Sequence, residues 1–291
     1  DGGRHRAGVK GAAALVDVSA VGRDRERDHL GPGPPERLRG DAVGGTVRAV
    51  EDDPEAVEAG RERCDEVALV KVAAHGADLG VALDGDADRA MLADGEGRVL
   101  DGDDVLLLWA LELEREGKKP EAVVGTVMSN WGLEEALSIR GIRLVRAGVG
   151  DRYVVEEMER HGALLGGEQS GHLIRADLTT TGDGTLTGLH VASSVAATRV
   201  PLASGPRLVR APQVLLNVRV RERVPFDGIP GFPGLMNSAE KRIAGSGRIL
   251  VRYSGTELLA RVMVEGIEKD TVESIAGELA GALRQAVGAP A

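Results

Sequence analysis

Asp84, Asp86 and Asp88 alternate directly after the apolar run 79–83. At an extended strand end, residues i, i+2 and i+4 point to one side, so three carboxylates converge there. Such a trio repels itself unless a cation lies between its members. Hard divalent ions such as Mg²⁺ prefer oxygen ligands of this kind. Two plainer readings compete. A calcium loop of the EF-hand type fails on position: counted from Asp84, the sixth residue is Arg89 instead of Gly, and the twelfth is Gly95 instead of Glu. A solvated acidic turn is weakened by the apolar flanks and by Arg89, whose guanidinium suits a phosphate bridging to the metal. The loop also follows an apolar strand, where α/β proteins place ligand chemistry.

A second string with chemical potential is RYSGTE, 252–257, followed by Arg261. Ser254, Gly255 and Thr256 make a short turn whose hydroxyls and backbone N–H groups could surround an anion. Arg252 and Arg261 add charge and bidentate donors. An ordinary hairpin turn in an Arg-rich protein accounts for the same residues. A third string is GGEQSGH, 166–172, where glycines flank Glu168 and Ser170. It reads by itself as a surface turn, although its polar side chains could bond sugar hydroxyls. His172 could titrate near neutrality, and a lone histidine is also a common structural residue. GTVMSN (125–130) and TTTGDG (179–184) are polar ends of apolar segments whose hydroxyls and amides serve as caps.

The elements that would carry these strings follow from pattern. Residues 1–75 show no sustained period. A short apolar stretch, 12–18, fits a helix or a strand, and 54–67 fits an amphipathic helix. From Gly76 the pattern sharpens. The strand 79–83 leads into the acidic loop, and a hairpin follows over 90–93 and 98–100. Asp103 caps a helix over 104–116, with Gly117 as its stop. Strands at 122–127 and 142–146 alternate with helices at 132–140 and 151–160. A helix starts after Gly188 and runs to about 197, and 198–212 read as a linker. Strands at 214–220, 248–253 and 260–264 and helices at 238–244 and 270–287 complete the chain. The fold class is α/β: layered domains with mixed, largely parallel sheets and a small C-terminal α+β domain. The expected divisions are 1–98, ending in the metal loop, then 99–205 and 206–291.

Composition excludes several classes. The 291 residues carry 36 Lys+Arg against 46 Asp+Glu, a formal charge of −10. That balance lacks the basic footprint of a nucleic-acid binder. One cysteine, Cys64, cannot form an internal disulfide. The apolar runs, such as 105–111, fall far short of the roughly 20 residues of a membrane helix. The first ten residues lack a signal-peptide pattern, so the expected location is the cytoplasm. With aromatic residues at only 2%, the core must be aliphatic.

Taken together and in this order, VALDGDADRAMLADGEGRVLDGD, GTVMSN, GVGDRYV, GGEQSGH, TTTGDG and VRYSGTE resemble the α-D-phosphohexomutase superfamily. The likeness runs over about 76–188 and 212–266, and within the superfamily it is nearest to the phosphoglucosamine mutase branch. The resemblance implies an intramolecular phosphotransferase that interconverts glucosamine 6-phosphate and glucosamine 1-phosphate through a bisphosphate, with Mg²⁺ as cofactor. Mannose or glucose phosphates, or a non-catalytic sugar-phosphate-binding remnant, are the alternatives.

By the same resemblance, Asp84, Asp86 and Asp88 are metal ligands, and Arg89 and His172 lie at the catalytic centre. Glu168 and Ser170 contact the sugar, while Arg252, Ser254, Gly255, Thr256 and Arg261 hold the phosphate that is not transferring. The family's nucleophile is a phosphoserine in a Ser-His-Asn loop of a first domain, and no such string occurs here. The expectation is a chain lacking that domain, inactive alone, with a separate chain as one source of the donor. Residues 11–75 and 198–211 depart from the family pattern, as a truncated gene with local frameshifts would produce. Leu258 replaces the family's usual proline.

Overall fold

In the computed structural model the described residues are 13–17, 46–50, 72, 74–255 and 257–289. The helix expected at 54–67 and Thr256 lie outside them. The chain forms two compact units, Asp1–Ser129 with Leu137–Leu208, and Asn130–Ala136 with Val209–Ala291.

The first unit holds two sheets. One has the order β2-β1-β3-β4-β5, from β1 (Ala13–Asp17), β2 (Thr46–Val50), β3 (Leu79–Leu83), β4 (Ala90–Asp94) and β5 (Val99–Leu100), with every pair antiparallel. Strand is therefore the outcome for the stretch at 12–18. Short connections account for the antiparallel β3-β4 and β4-β5 pairs, because a parallel pair needs a long crossover. The turn between β4 and β5 is built on Asp94, which is fully buried. Its Oδ1 accepts from the N–H groups of Glu96 (3.1 Å) and Arg98 (2.9 Å), and its Oδ2 accepts from Arg98 Nε (3.0 Å).

The other sheet has the order β7-β6-β8-β9, from β6 (Ala122–Thr126), β7 (Arg143–Ala147), β8 (Leu165–Gly167) and β9 (Leu173–Arg175). Here β6 runs parallel to β7 and β8, joined by helical crossovers, and β9 returns antiparallel. Every residue of β6 is buried, as suits a central parallel strand covered on both faces.

Four of the six α-helices among the described residues serve this part of the chain: α1 (Gly102–Arg115), α2 (Trp131–Ser138), α3 (Asp151–His161) and α4 (Gly184–Thr198). The start of α2 belongs to the second unit. Helix α1 packs on β8, α3 on the parallel strands, and α4 on β3 and β4. The cap of α1 is Asp101, not Asp103. Its Oδ1 accepts from the N–H groups of Asp103 (3.0 Å) and Asp104 (3.3 Å), while Asp104 Oδ2 accepts from the Asp101 N–H (3.3 Å). Helix α4 begins at Gly184, earlier than its apolar pattern announces, because Asp183 caps it through Leu186 N–H at 2.8 Å.

The second unit is a three-stranded antiparallel sheet in the order β10-β12-β11, from β10 (Gln213–Arg219), β11 (Gly247–Tyr253) and β12 (Leu259–Gly266). Helix α5 (Phe232–Ile243) and helix α6 (Lys269–Val287) cover it. The α6 stripe Val272, Ile275, Leu279, Leu283 is fully buried with Val262 and Val264 of β12, each worth about 1.5–3 kcal/mol of transfer energy. Helix α5 starts ahead of the expected 238 because a proline sits in its first turn, where a missing N–H costs nothing. No helix among the described residues is long and apolar enough to cross a membrane.

Candidate functional site

The acidic loop joins β3 to β4 in the first unit. One carboxylate oxygen from each of Asp84, Asp86 and Asp88 lies within 4.8 Å of the others. Asp84 is also tied into the backbone, since its Oδ1 accepts the Arg89 N–H at 3.2 Å. The turn is tight enough to put Ala87 at φ 60°, a left-handed conformation. For a residue with a Cβ that conformation costs roughly 1–2 kcal/mol. Arg89 Nε is buried and has no hydrogen-bond partner. It stands 3.9 Å from Asp84 Oδ2 and 3.8 Å from Asp88 Oδ1. Three hard oxygen donors this close suit a small divalent cation, and the unsatisfied Arg89 donor suits an anion beside it. The donor set therefore fits Mg²⁺.

Two other predicted strings close around this loop. Arg89 and His172 form an antiparallel bridge, and Ala90 N–H donates to Gly171 O at 3.1 Å. Gly171 has φ +91°, and a Cβ there would stand 2.4 Å from Ala90 O. His172 is buried and its Nδ1 lies 3.1 Å from Asp88 Oδ2. Its Nε2 has no hydrogen-bond partner and faces Gly182, where a Cβ would stand 2.3 Å away. Gly184 N–H donates to Ala87 O at 2.9 Å, and a Cβ on Gly184 would meet Arg89 O at 2.4 Å. Glycine is needed at these positions because backbone meets backbone or ring at a distance no Cβ permits.

Glu168 sits in the same cluster. Its Oε1 accepts Gly150 N–H at 2.9 Å, and its Oε2 accepts from Ser170 Oγ at 3.1 Å. The GVGDRYV and GGEQSGH strings thus meet at one carboxylate. Asp84, Asp86, Asp88, Arg89, Glu168, Ser170 and His172 all belong to the first unit, and His172 links the metal loop to the glycine loop. A separate cavity of about 470 Å³, between α1, α4 and residues 200–206, is lined by none of them.

Arg252, Ser254, Gly255 and Arg261 belong to the second unit. Arg252 and Arg261 are directly paired across β11 and β12. Like charges facing each other across a ladder destabilise it, and an anion between them would reverse that. Ser254 is buried, and its N–H closes the hairpin on Leu259 O at 2.8 Å. Glu257 Oε2 lies 3.6 Å from Arg261 Nη2. Burial pushes the Tyr253 phenol above its ordinary pKa.

Residues 101–207 match the family described as phosphoglucomutase/phosphomannomutase, α/β/α domain III, and residues 215–282 match its C-terminal domain. A phosphoglucosamine mutase from Anaeromyxobacter dehalogenans is 49% identical over 216 residues, 74% of this chain and 47% of that protein. One from Streptomyces coelicolor is 48% identical over 219 residues, 75% of this chain and 48% of that protein. The chain belongs to the α-D-phosphohexomutase superfamily. It spans about half the length of these relatives. Solved phosphohexomutases share the fold. A phosphoglucomutase/phosphomannomutase family protein from Burkholderia thailandensis has a TM-score of 0.60 at 21% identity, over 77% of this chain and 50% of that one. The N-acetylphosphoglucosamine mutase of Aspergillus fumigatus, in complex with GlcNAc-6P and magnesium, has a TM-score of 0.57 at 23% identity, over 70% of this chain and 51% of that one.

Sequence reasoning missed the left-handed Ala87, the Gly150 N–H that orients Glu168, and the buttressing by Gly182 and Gly184. The glycine-rich strings were the available signal, but not which backbone each glycine would meet.

Proposed function

We propose that these residues carry the metal loop, sugar loop and distal phosphate turn of a phosphoglucosamine mutase, interconverting glucosamine 6-phosphate and glucosamine 1-phosphate through a bisphosphate. The observation that carries this reading is the carboxylate trio within 4.8 Å under an unsatisfied Arg89 donor. Support comes from relatives of that name at 44–49% identity. On this reading 1–98 belong to a second domain, 99–205 form the third and 206–291 the fourth.

Asp84, Asp86 and Asp88 would hold Mg²⁺, which supplies charge neutralisation on the transferring phosphoryl oxygens. Arg89, held beside Asp84 and Asp88, would offer its guanidinium to that phosphoryl group. His172 holds Asp88 through Nδ1 and so fixes one metal ligand's orientation. Glu168 and Ser170 present acceptors to sugar hydroxyls from a loop fixed at Gly150 and Gly171. Arg252, Ser254, Gly255, Thr256 and Arg261 anchor the other phosphate. The phosphoserine donor must come from outside these residues, since no Ser-His-Asn string occurs among them.

Calorimetry tests the site. Mg²⁺ is expected to bind, and Asp86→Ala to weaken it at least about tenfold by removing one anionic ligand. Glucosamine 6-phosphate is expected to bind, and Arg252→Ala to weaken it similarly. Absence of heat with either ligand ends the proposal. A coupled assay of the chain alone should show negligible turnover, and turnover typical of a full-length mutase would refute the external donor. Binding compared among glucosamine, mannose and glucose 6-phosphates separates the substrate classes.

A further inference from the structure

The turn between β11 and β12 contains little that could hold its own shape. Gly255 has open space around it and Leu258 is 55% exposed, so packing does not restrain the backbone there, and within the turn Glu257 N–H makes only a long bond to Ser254 Oγ, 3.4 Å. Further restraint comes from the segment that follows β10. Val220 N–H donates to Leu258 O at 3.0 Å. Tyr253 Oη donates to Val224 O at 2.6 Å, and the Phe226 ring stacks on Tyr253 with centroids 4.5 Å apart and planes at 10°. Between these two anchors lies Arg223. Its Nη2 donates to Gly255 O at 3.1 Å and to Glu257 O at 3.2 Å.

One guanidinium nitrogen therefore bridges two carbonyls on one side of the turn. In a trans peptide the carbonyl and N–H point in opposite directions. Fixing the Glu257 carbonyl toward Arg223 turns the Leu258 N–H to the opposite side, where an anion would use it. An isolated exposed arginine would contribute little, because ordering a long side chain costs entropy. Here its backbone is already held at Val220 and Val224, so less freedom is lost when the bridge forms.

We propose that Arg223 is a positioning residue that braces this turn in its phosphate-binding shape. The proposal rests on the reading of the turn as a phosphate site. It assigns a role to a residue outside the Arg252–Arg261 set: Arg223 shapes the cradle through two carbonyls without itself having to touch the ligand.

The test uses the whole chain and four forms of it: unaltered, Arg223→Ala, Arg223→Lys and Arg252→Ala. Hydrogen exchange is followed over 254–258, and binding of inorganic phosphate and of glucosamine 6-phosphate by calorimetry. Arg223→Ala should speed exchange in this segment roughly three- to tenfold and weaken both ligands by a similar factor, with exchange elsewhere unchanged. Arg223→Lys should restore only part of each, because an ammonium carries the charge without the planar fork. Faster exchange with unaltered affinity overturns the proposal. So does weaker affinity with unaltered exchange, or full rescue by lysine, since either makes Arg223 a simple charge. Arg252→Ala separates the two levels. If that variant binds as the unaltered chain does, the phosphate reading itself fails. If it loses binding while Arg223→Ala changes nothing, only the brace fails.

Discussion

Ala87 is the strained residue of the candidate metal loop. Its φ of 60° lies where a Cβ crowds the following carbonyl, yet Gly184 N–H bonds its carbonyl at 2.9 Å and holds it there. Strain at a ligand loop persists only when the surroundings over-determine it. Ala87→Gly should therefore raise stability by about 0.5–1 kcal/mol, from relief of that crowding less the larger unfolded-state entropy of glycine. Urea unfolding measures it, and an unchanged or lower midpoint would refute it. Mg²⁺ affinity should not improve, since the donors stay the same. The alternating acids were visible in the sequence because side-chain alternation in a strand is set by local geometry. The left-handed residue among them was not, because an alanine does not announce it.

At the scale of elements, the strings around the metal loop work by backbone contact. Helix α4 begins against Arg89: a Cβ on Gly184 would stand 2.4 Å from Arg89 O and 2.6 Å from its carbonyl carbon. Gly184→Ala should cost about 1–3 kcal/mol despite alanine's better helix propensity, because the helix start or the loop must move. Thermal unfolding measures the loss, and Mg²⁺ affinity should fall with it. Helix α1 depends on Asp101, whose side chain caps Asp103 and Asp104. Asp101→Ala should cost about 1 kcal/mol by the same measurement, whereas Asp103→Ala removes no cap. The capping residue was misplaced by sequence because three acids, Asp101, Asp103 and Asp104, compete for the role. Strands β8 and β9 were missed because three residues each are too few to show a period.

At the scale of the first unit, α1, β9 and α4 meet around a buried ionic group. Arg175, 5% exposed, lies 3.5 Å from Glu112 Oε2, and its Nε donates to Asp177 Oδ1 at 3.1 Å. Ser194 Oγ donates to Glu112 Oε1 at 2.7 Å. His190 packs edge-on to Trp109 and contacts Arg175 through Nε2. Burial holds the His190 imidazole below its ordinary pKa, against the opposing pull of Glu112. A depressed base binds its proton later in the folded state than in the unfolded state. Between those two values the unfolded chain holds more protons, so stability falls as pH drops below about 6.5 and levels off under the folded value. The expected outcome is a smaller loss of thermal midpoint from pH 7.5 to 5.5 in His190→Gln than in the unaltered chain. Equal losses would refute it.

The same division holds across both units. The apolar strands 79–83 and 122–126, the acidic alternation of Asp84, Asp86 and Asp88, and the α6 stripe through Val272, Ile275, Leu279 and Leu283 could be read directly. Their information is local: a period of two or 3.6 residues needs no knowledge of a partner. Which loops meet was decided only by the tertiary structure. His172 reaches Asp88 across 84 positions, and Glu168 finds Gly150 across 18. Gly171 and Gly184 are glycines because of backbones they touch far along the chain. Contacts of that separation depend on how sheets and helices pack, and packing is a property of the assembled chain that no short window of residues contains.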